Sequence, residues 1–378
     1  MIRAAIMIDS LQTGGAQKLV AAFVTSAGLY GVDPVVISLR RGGSPAILNT
    51  IRSAGVQLIT LPSSSLFSLG RFRWLVKFLQ DSKIDIVHTH LLYANILGSM
   101  AARLAKVPVV CTLHSTRLEK GRRQHRLLSR IENFCLWNFA DRILAVGEKV
   151  AAVHRRNYPG RTVNVISNGI PKPKFPSAQE RERLRREITG DGSSSVVITV
   201  GRFTGAKGYE DMIEAFHILR ERAPNPKLMM VGSGPNVETI KSQIEDLDLE
   251  QSVILTGERE DVPRLLALSD VFASSSHREG LPLAVLEAMM AGLPVVATSV
   301  GDIPNVVTKE TGVVVPPHHP ELLAEALEDL LKNPQKRQAM GQAAYRRAMN
   351  EFSMDAWMKK HLALYREVLA LRGHGSAA

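Results

Sequence analysis

Two doubly wound, Rossmann-like α/β domains facing each other across a cleft are the fold class that this 378-residue sequence predicts. Three observations carry the prediction. The length exceeds one domain of roughly 100 to 200 residues. Short β-rich runs alternate with amphipathic helical stretches, once before and once after a proline-rich break. Those runs are apolar throughout rather than alternating, as suits strands buried on both faces of a parallel sheet.

Taken in order, the first-half strands are expected at Ile2–Ile8, Pro34–Leu39, Val56–Leu61, Ile84–His88, Val107–Leu113 and Ile143–Val146. Residues 171–177, Pro-Lys-Pro-Lys-Phe-Pro-Ser, form the linker candidate. The alternation then resumes with strands at Val196–Val200, Lys227–Val231, Ser252–Thr256, Val271–Ser274, Pro294–Thr298 and Gly312–Val315. Helices over about Pro320–Leu331, Pro334–Asn350 and Met354–Leu371 close the chain. The domains are therefore expected at 1–170 and 171–353, with the helix of 354–378 packing back on the first domain and ending in a frayed tail. In such sheets ligands bind beyond the carboxyl ends of the strands.

Hydrophobic residues at 45% and charged residues at 22% exclude a disordered chain. No run approaches the roughly 18 apolar residues of a membrane span, and the apolar start stops at Asp9, too short for a signal peptide. The expected location is the cytoplasm. Cys111 and Cys135 form no CxxC pair, which predicts buried thiols and neither a disulfide framework nor a zinc knuckle. The charge is one-sided: residues 1–170 hold 22 Lys and Arg against 8 Asp and Glu, whereas residues 171–378 hold 25 against 28. A basic half favours an anionic partner, whether nucleic acid, phospholipid headgroups or a phosphorylated acceptor.

The strongest local signal spans residues 277–297. Glu279 lies in a loop, Pro282 suits the first turn of a helix, and Glu287 lies inside that helix before Gly292 ends it. The free N–H groups around Gly280, Leu281 and Leu283 suit hydroxyls or an anion, with a carboxylate at either depth. The plain alternative is a capping Glu279 and a surface Glu287. Next comes Gly201-Arg202-Phe203-Thr204-Gly205-Ala206-Lys207-Gly208, after a strand and opening a helix. Its glycines admit a ligand, and Arg202 and Lys207 supply two cations that can neutralise a departing diphosphate without a metal. An ordinary turn with solvated basic residues is the other reading. Gly14 and Gly15 could likewise bring bare backbone to a phosphate or a sugar.

Val231-Gly232-Ser233-Gly234-Pro235 lacks the third glycine of a dinucleotide fingerprint, which disfavours a dehydrogenase. His88 and His90 lie near a strand end; His88 falls within the strand pattern and reads as a core residue, whereas His114 lies just past a strand, where site residues are expected. Asp246-Leu247-Asp248 has metal-binding spacing but falls on a helical pattern, so no metal is expected.

Together these segments closely resemble the retaining glycosyltransferases of GT-B fold called family four, or the glycosyl transferases group one. The resemblance covers nearly the whole chain. It implies transfer of a hexose-type sugar from a nucleotide diphosphate, without a metal cofactor. By position it implies that Glu279 and the amides after it hold the donor sugar, Glu287 the ribose, Arg202 and Lys207 the diphosphate, and His114 the sugar. Gly14 and Gly15 match the family's first glycine loop, and Leu255–Arg259, with Gly257 and Arg259, its base-contacting segment. Two places depart from the pattern: Pro171 follows Asn168-Gly169-Ile170 where an acid is common, and Thr204-Gly205-Ala206 lacks the usual Pro-Glu pair.

The acceptor is read from the basic half. On a helix over Leu69–Leu79, Phe72, Leu75, Val76 and Leu79 form one apolar stripe; Phe67, Trp74 and Phe78 form another beside Arg71. The second stripe, with Arg73 and Lys77 on its flank, and a second basic cluster of Arg117, Lys120, Arg122, Arg123, Arg126 and Arg130 read as a face for an anionic membrane carrying a lipid-linked acceptor, as in cell-surface polysaccharide synthesis. Packing under another segment and a solvated helix face are the alternatives. The competing functions are an epimerase or hydrolase on the same fold and, further off, a nucleic-acid-binding or scaffold protein, for which no motif exists.

Overall fold

The computed structural model describes residues 1–61, 68–114, 123–156 and 160–373, with the side chains of 123–126 outside the description. Two compact units result: unit 1 is Met1–Pro171 with Met354–Ala378, and unit 2 is Lys172–Ser353.

The sheet of unit 1 holds β1 (Ile2–Ile8), β2 (Val32–Ser38), β3 (Gln57–Thr60), β4 (Ile86–His90), β5 (Val109–Leu113), β6 (Arg142–Ala145) and β7 (Val163–Val165). Its order is β3-β2-β1-β4-β5-β6-β7, all parallel. That of unit 2 holds β8 (Ser195–Val200), β9 (Pro226–Val231), β10 (Val253–Gly257), β11 (Val271–Ser274), β12 (Val295–Thr298) and β13 (Gly312–Val315), in the order β10-β9-β8-β11-β12-β13, again all parallel. The winding direction reverses between β1 and β4 and between β8 and β11. At such a reversal neighbouring connections leave for opposite faces and open a crevice at the carboxyl ends.

Helices cover both faces, which explains the unbroken apolar strands: Ala4 to Ile8 of β1 and Val196 to Ile198 of β8 have no exposed surface. Phe216 and Leu327, on the helices Tyr209–Arg222 and Pro320–Lys332, join the second core. One expected strand is displaced and one strand is additional to those expected. β4 runs two residues further than its apolar run, through His90, because the sheet register pairs Ala4 with Ile86 and Ile8 with His90; Asp85 is held outside by accepting the Arg3 N–H at 2.7 Å. The additional strand, β7, is three residues long, too short to give a sequence pattern.

The helix Met354–Leu371 belongs to unit 1. Its Met354 N–H donates to Ile170 O at 2.9 Å, and Trp357, Met358, His361, Leu364, Tyr365 and Val368 are buried. Trp357 sets its ring edge-on to Phe23 of the helix Gly15–Ala27 at 5.6 Å. With this helix included, unit 1 carries 26 basic against 10 acidic residues and unit 2 carries 21 against 26, so the charge separation is wider than the linear halves indicate. No helix among the described residues is long and apolar enough to cross a membrane.

Candidate functional site

In unit 2 the reversal point collects the two strongest motifs. β8 gives way to the loop of Arg202 and a single 3-10 turn, Gly205–Lys207, before the helix Tyr209–Arg222. Gly208 joins them at φ 58, where an added Cβ would lie 2.4 Å from Ser275 O, so the loop closes against the end of β11 only with glycine there. From the other side, the His277 N–H donates to Ala206 O at 2.9 Å.

This seam brings two distant side chains together. Lys207 Nζ donates to Glu279 Oε1 at 2.5 Å, and Ser276 Oγ donates to the same oxygen at 2.7 Å. Only 25% of the Lys207 side chain and 11% of the Glu279 side chain are exposed, so their interaction is screened far less than a surface pair. Behind them Tyr209 is buried, and burial raises its phenol, which therefore stays neutral. Thr298 Oγ1, at the end of β12, donates to Ser276 O at 2.5 Å and fixes the serine carrying the second hydrogen bond.

The loop after Glu279 is held by the turn that follows β12. Gly301, at φ 58, brings its backbone so close that a Cβ would lie 2.2 Å from Gly280 O, and the Asp302 N–H donates to that carbonyl at 2.8 Å. The helix begins at Leu283, one residue later than expected, with Pro282 as its extended cap, because its ψ of 123° is not helical. Among the described residues no acceptor takes up the N–H of Gly280, Leu281 or Leu283. Glu287 is half-buried one turn beyond Leu283, and Gly292, at φ 77, follows the end of the helix.

The remaining candidates of unit 2 differ in standing. Arg202 is exposed on the loop. Gly257 accepts the Gly232 N–H at 2.9 Å, which ties the end of β10 to that of β9. Arg259 is exposed, its guanidinium taken up by Asp261 through bonds of 2.7 and 2.8 Å. Asp246 and Asp248 are exposed at the end of the helix Val237–Asp246, as the helical pattern indicated.

In unit 1, Gly14 caps the helix Gly15–Ala27 just after β1. His114 follows β5, with its Nε2 3.0 Å from His90 Nδ1. Burial lowers His114 to about 4 and His90 well below its ordinary value, so both imidazoles are neutral at pH 7. His88 is a core residue, bonded at 2.6 Å to both Tyr365 OH and Thr112 Oγ1. Sequence reasoning missed two carboxyls here. Asp9, at the end of β1, accepts from the N–H groups of Ala94 and Tyr93 at 2.7 and 3.3 Å, yet burial raises it to about 6. Glu132, bonded to Asn95 Nδ2 at 2.8 Å, is raised by burial to about 7. The position of Asp9 at a switch-point strand was a readable signal.

The surface candidates need correction. Arg71 is not on an exposed stripe; it is buried and its guanidinium donates to Leu39 O at the end of β2, which turns it inward. Trp74 is 42% exposed and stacks on Phe78 at 5.1 Å; Phe78 itself packs partly on the core. Phe67 and Arg122 lie outside the described residues, and Arg123 opens the helix Arg123–Phe139 with its side chain not described. That helix presents an apolar stripe which its arginines masked in the sequence: Leu127, Ile131, Phe134 and Trp137 are all exposed, Phe134 at 60%. The helix packs beside Leu92–Ala105, whose Met100 and Leu104 are exposed, and that helix packs beside Leu69–Asp81.

Two family descriptions match the chain: Glycosyl transferases group 1 over residues 180–347 and Glycosyltransferase Family 4 over residues 13–172. A D-inositol 3-phosphate glycosyltransferase of Corynebacterium efficiens is 30% identical over 75% of this chain and 71% of its own length. A UDP-Gal:α-D-GlcNAc-diphosphoundecaprenol α-1,3-galactosyltransferase of Escherichia coli is 33% identical over 60% of each chain. Among solved structures, Anabaena HepE in complex with UDP superposes with a TM-score of 0.85 at 21% identity, covering 96% of this chain and 99% of its own.

Proposed function

The chain belongs to the glycosyl transferases group 1 family, and on that premise we propose that it moves a sugar from a nucleotide diphosphate to a lipid-linked acceptor with retention at the anomeric carbon. The observation that carries the proposal is the seam of Lys207, Glu279 and Ser276 at the β8/β11 reversal, with unused amides beside it. The relatives support the substrates: HepE was solved with UDP, and the E. coli relative is named for a UDP-sugar donor and a diphosphoundecaprenol acceptor.

In this reading Arg202 and Lys207 receive the diphosphate, which neutralises the charge that grows as the sugar departs. Fixed cations are effective there: two unit charges 4 Å apart attract by about 4 kcal/mol at an effective dielectric constant of about 20. Neither cation needs help from a metal. Glu279 and the amides of Gly280, Leu281 and Leu283 orient the donor sugar, Glu287 the ribose, and Gly257 and Arg259 the base. Glu279 is assigned a positioning role, which its two hydrogen bonds through Oε1 support by fixing the carboxylate in place. In unit 1, His114, Gly14 and Gly15 are the residues read as meeting sugar hydroxyls; a neutral imidazole can donate to one hydroxyl and accept from another. The acceptor attacks on the leaving-group side through a short-lived oxocarbenium species, its proton passing to the departing phosphate.

The acceptor reaches the protein at an anionic membrane surface, the chain lying peripherally on the cytoplasmic leaflet. Support comes from the basic excess of unit 1 and from the exposed residues Trp74, Leu104, Leu127 and Phe134 on three neighbouring helices. The test is a thermal-shift screen against UDP, GDP and ADP sugars, then product analysis with polyprenyl-diphosphate acceptors and assignment of the new linkage by NMR. An inverted linkage would remove the retaining mechanism; donor consumption without any acceptor would favour a hydrolase or epimerase.

A further inference from the structure

Beneath the Lys207 loop lies a group of side chains that the sugar chemistry does not use. Asp211, in the first turn of the helix Tyr209–Arg222, His277, after β11, and His318, after β13, each offer a ligand atom within 4.8 Å of the others. His277 Nε2 is 2.8 Å and His318 Nδ1 3.8 Å from Asp211 Oδ2, and the two imidazole rings lie 3.9 Å apart.

We propose that Asp211, His277 and His318 bind a zinc ion that fastens the loop carrying Lys207 and Glu279 to the body of unit 2. The donor set is two imidazole nitrogens and one carboxylate oxygen, with the fourth position left to water, a combination that four-coordinate zinc takes in open sites. Two of the three ligand spacings lie within about half an ångström of a tetrahedral edge. Zinc–ligand bonds of about 2.0 to 2.1 Å place ligand atoms about 3.3 to 3.4 Å apart, and the two distances to Asp211 Oδ2, 2.8 and 3.8 Å, bracket that edge. The His318 side chain is 65% accessible, which leaves it room to turn. His318 is also held at φ 61, an unfavourable backbone conformation for a residue with a side chain.

The connection to the site is direct. The His277 N–H holds Ala206 O, next to Lys207, and Glu279 stands two residues after His277. The ion joins three segments distant in sequence. It therefore stabilises the protein whether or not the chain transfers sugar.

The experiment uses the full chain, free of any polyhistidine tag and stripped of metal. Zinc is titrated by calorimetry with a competing chelator, cobalt(II) is added separately for its visible spectrum, and melting is followed with and without zinc. Wild-type protein should take up one zinc per chain, give a tetrahedral cobalt spectrum and melt higher with the metal. His318→Ala and Asp211→Asn, checked for folding by circular dichroism, should each weaken zinc at least about tenfold, since even groups that merely orient metal ligands contribute ten- to a hundredfold. Wild type that takes up no stoichiometric zinc, or uptake that neither variant weakens, overturns the site.

Discussion

Lys207 Nζ and Glu279 Oε1 stand 2.5 Å apart across 72 residues of sequence, so the two strongest motifs form one structure. Lys207→Ala should lower kcat/KM for the nucleotide sugar by about 10²- to 10³-fold, the range for deleting a donor to developing charge. Arg202→Ala, at an exposed position, should follow with a smaller loss. Steady-state kinetics on folded protein measures both, and near-normal turnover in the pair would remove the diphosphate role.

Gly301 carries no chemistry, but its backbone supports Gly280. Gly301→Ala places a methyl 2.2 Å from Gly280 O at a positive φ, so the 279–281 loop has to move. The expected cost is about 1 to 3 kcal/mol in denaturant unfolding, with KM for the donor raised. An unchanged KM would dissociate this loop from donor binding.

Acid should weaken the fold. His88, His90, His114 and His361 are all lowered by burial, the last two to about 4, so below about 6.5 the unfolded chain takes up protons that the native one refuses. Asp9 and Glu132, raised to about 6 and 7, act in the opposite sense, because the native state holds their protons where unfolded carboxyls are ionised. Four groups outweigh two. Melting temperature should fall from pH 6.5 to 4.5, less steeply in His361→Leu; a rise over that interval would contradict the balance.

Membrane contact should depend on aromatic residues from more than one helix. Trp74→Asp and Phe134→Asp should each reduce binding to anionic vesicles by about ten- to a hundredfold, the equivalent of one buried apolar side chain. Vesicle sedimentation in low and moderate salt measures this. Binding that survives the double variant would assign the attraction to charge alone.

Both sheets were legible because parallel strands buried on two faces leave unbroken apolar runs, and the glycine loops were legible because each motif is local. The errors occurred where a long-range partner decided the outcome. Helical spacing put Arg71 beside an apolar stripe, but only the carbonyl of Leu39, 32 residues away, shows that it turns inward. His90 lay hidden in a polar His-Thr-His run whose place in β4 depends on its register with β1. Asp211, His277 and His318 come from three connections of one sheet, a juxtaposition that no spacing rule contains. The stripe of Leu127, Ile131, Phe134 and Trp137 was present at helical spacing, but the arginines around it dominated the reading.

The return of the last helix to unit 1 has a consequence for biosynthesis. Tyr365 is made 277 residues after His88, its hydrogen-bond partner. At about 5 to 20 residues per second, the ribosome leaves His88 without this partner for roughly 14 to 55 s. During that interval the whole of unit 2 is synthesised, and its contiguous sequence lets it finish first. Phe23 and His88 meanwhile lack the cover of Trp357 and Tyr365, so the nascent chain presents an open apolar face to chaperones until the helix Met354–Leu371 leaves the ribosome.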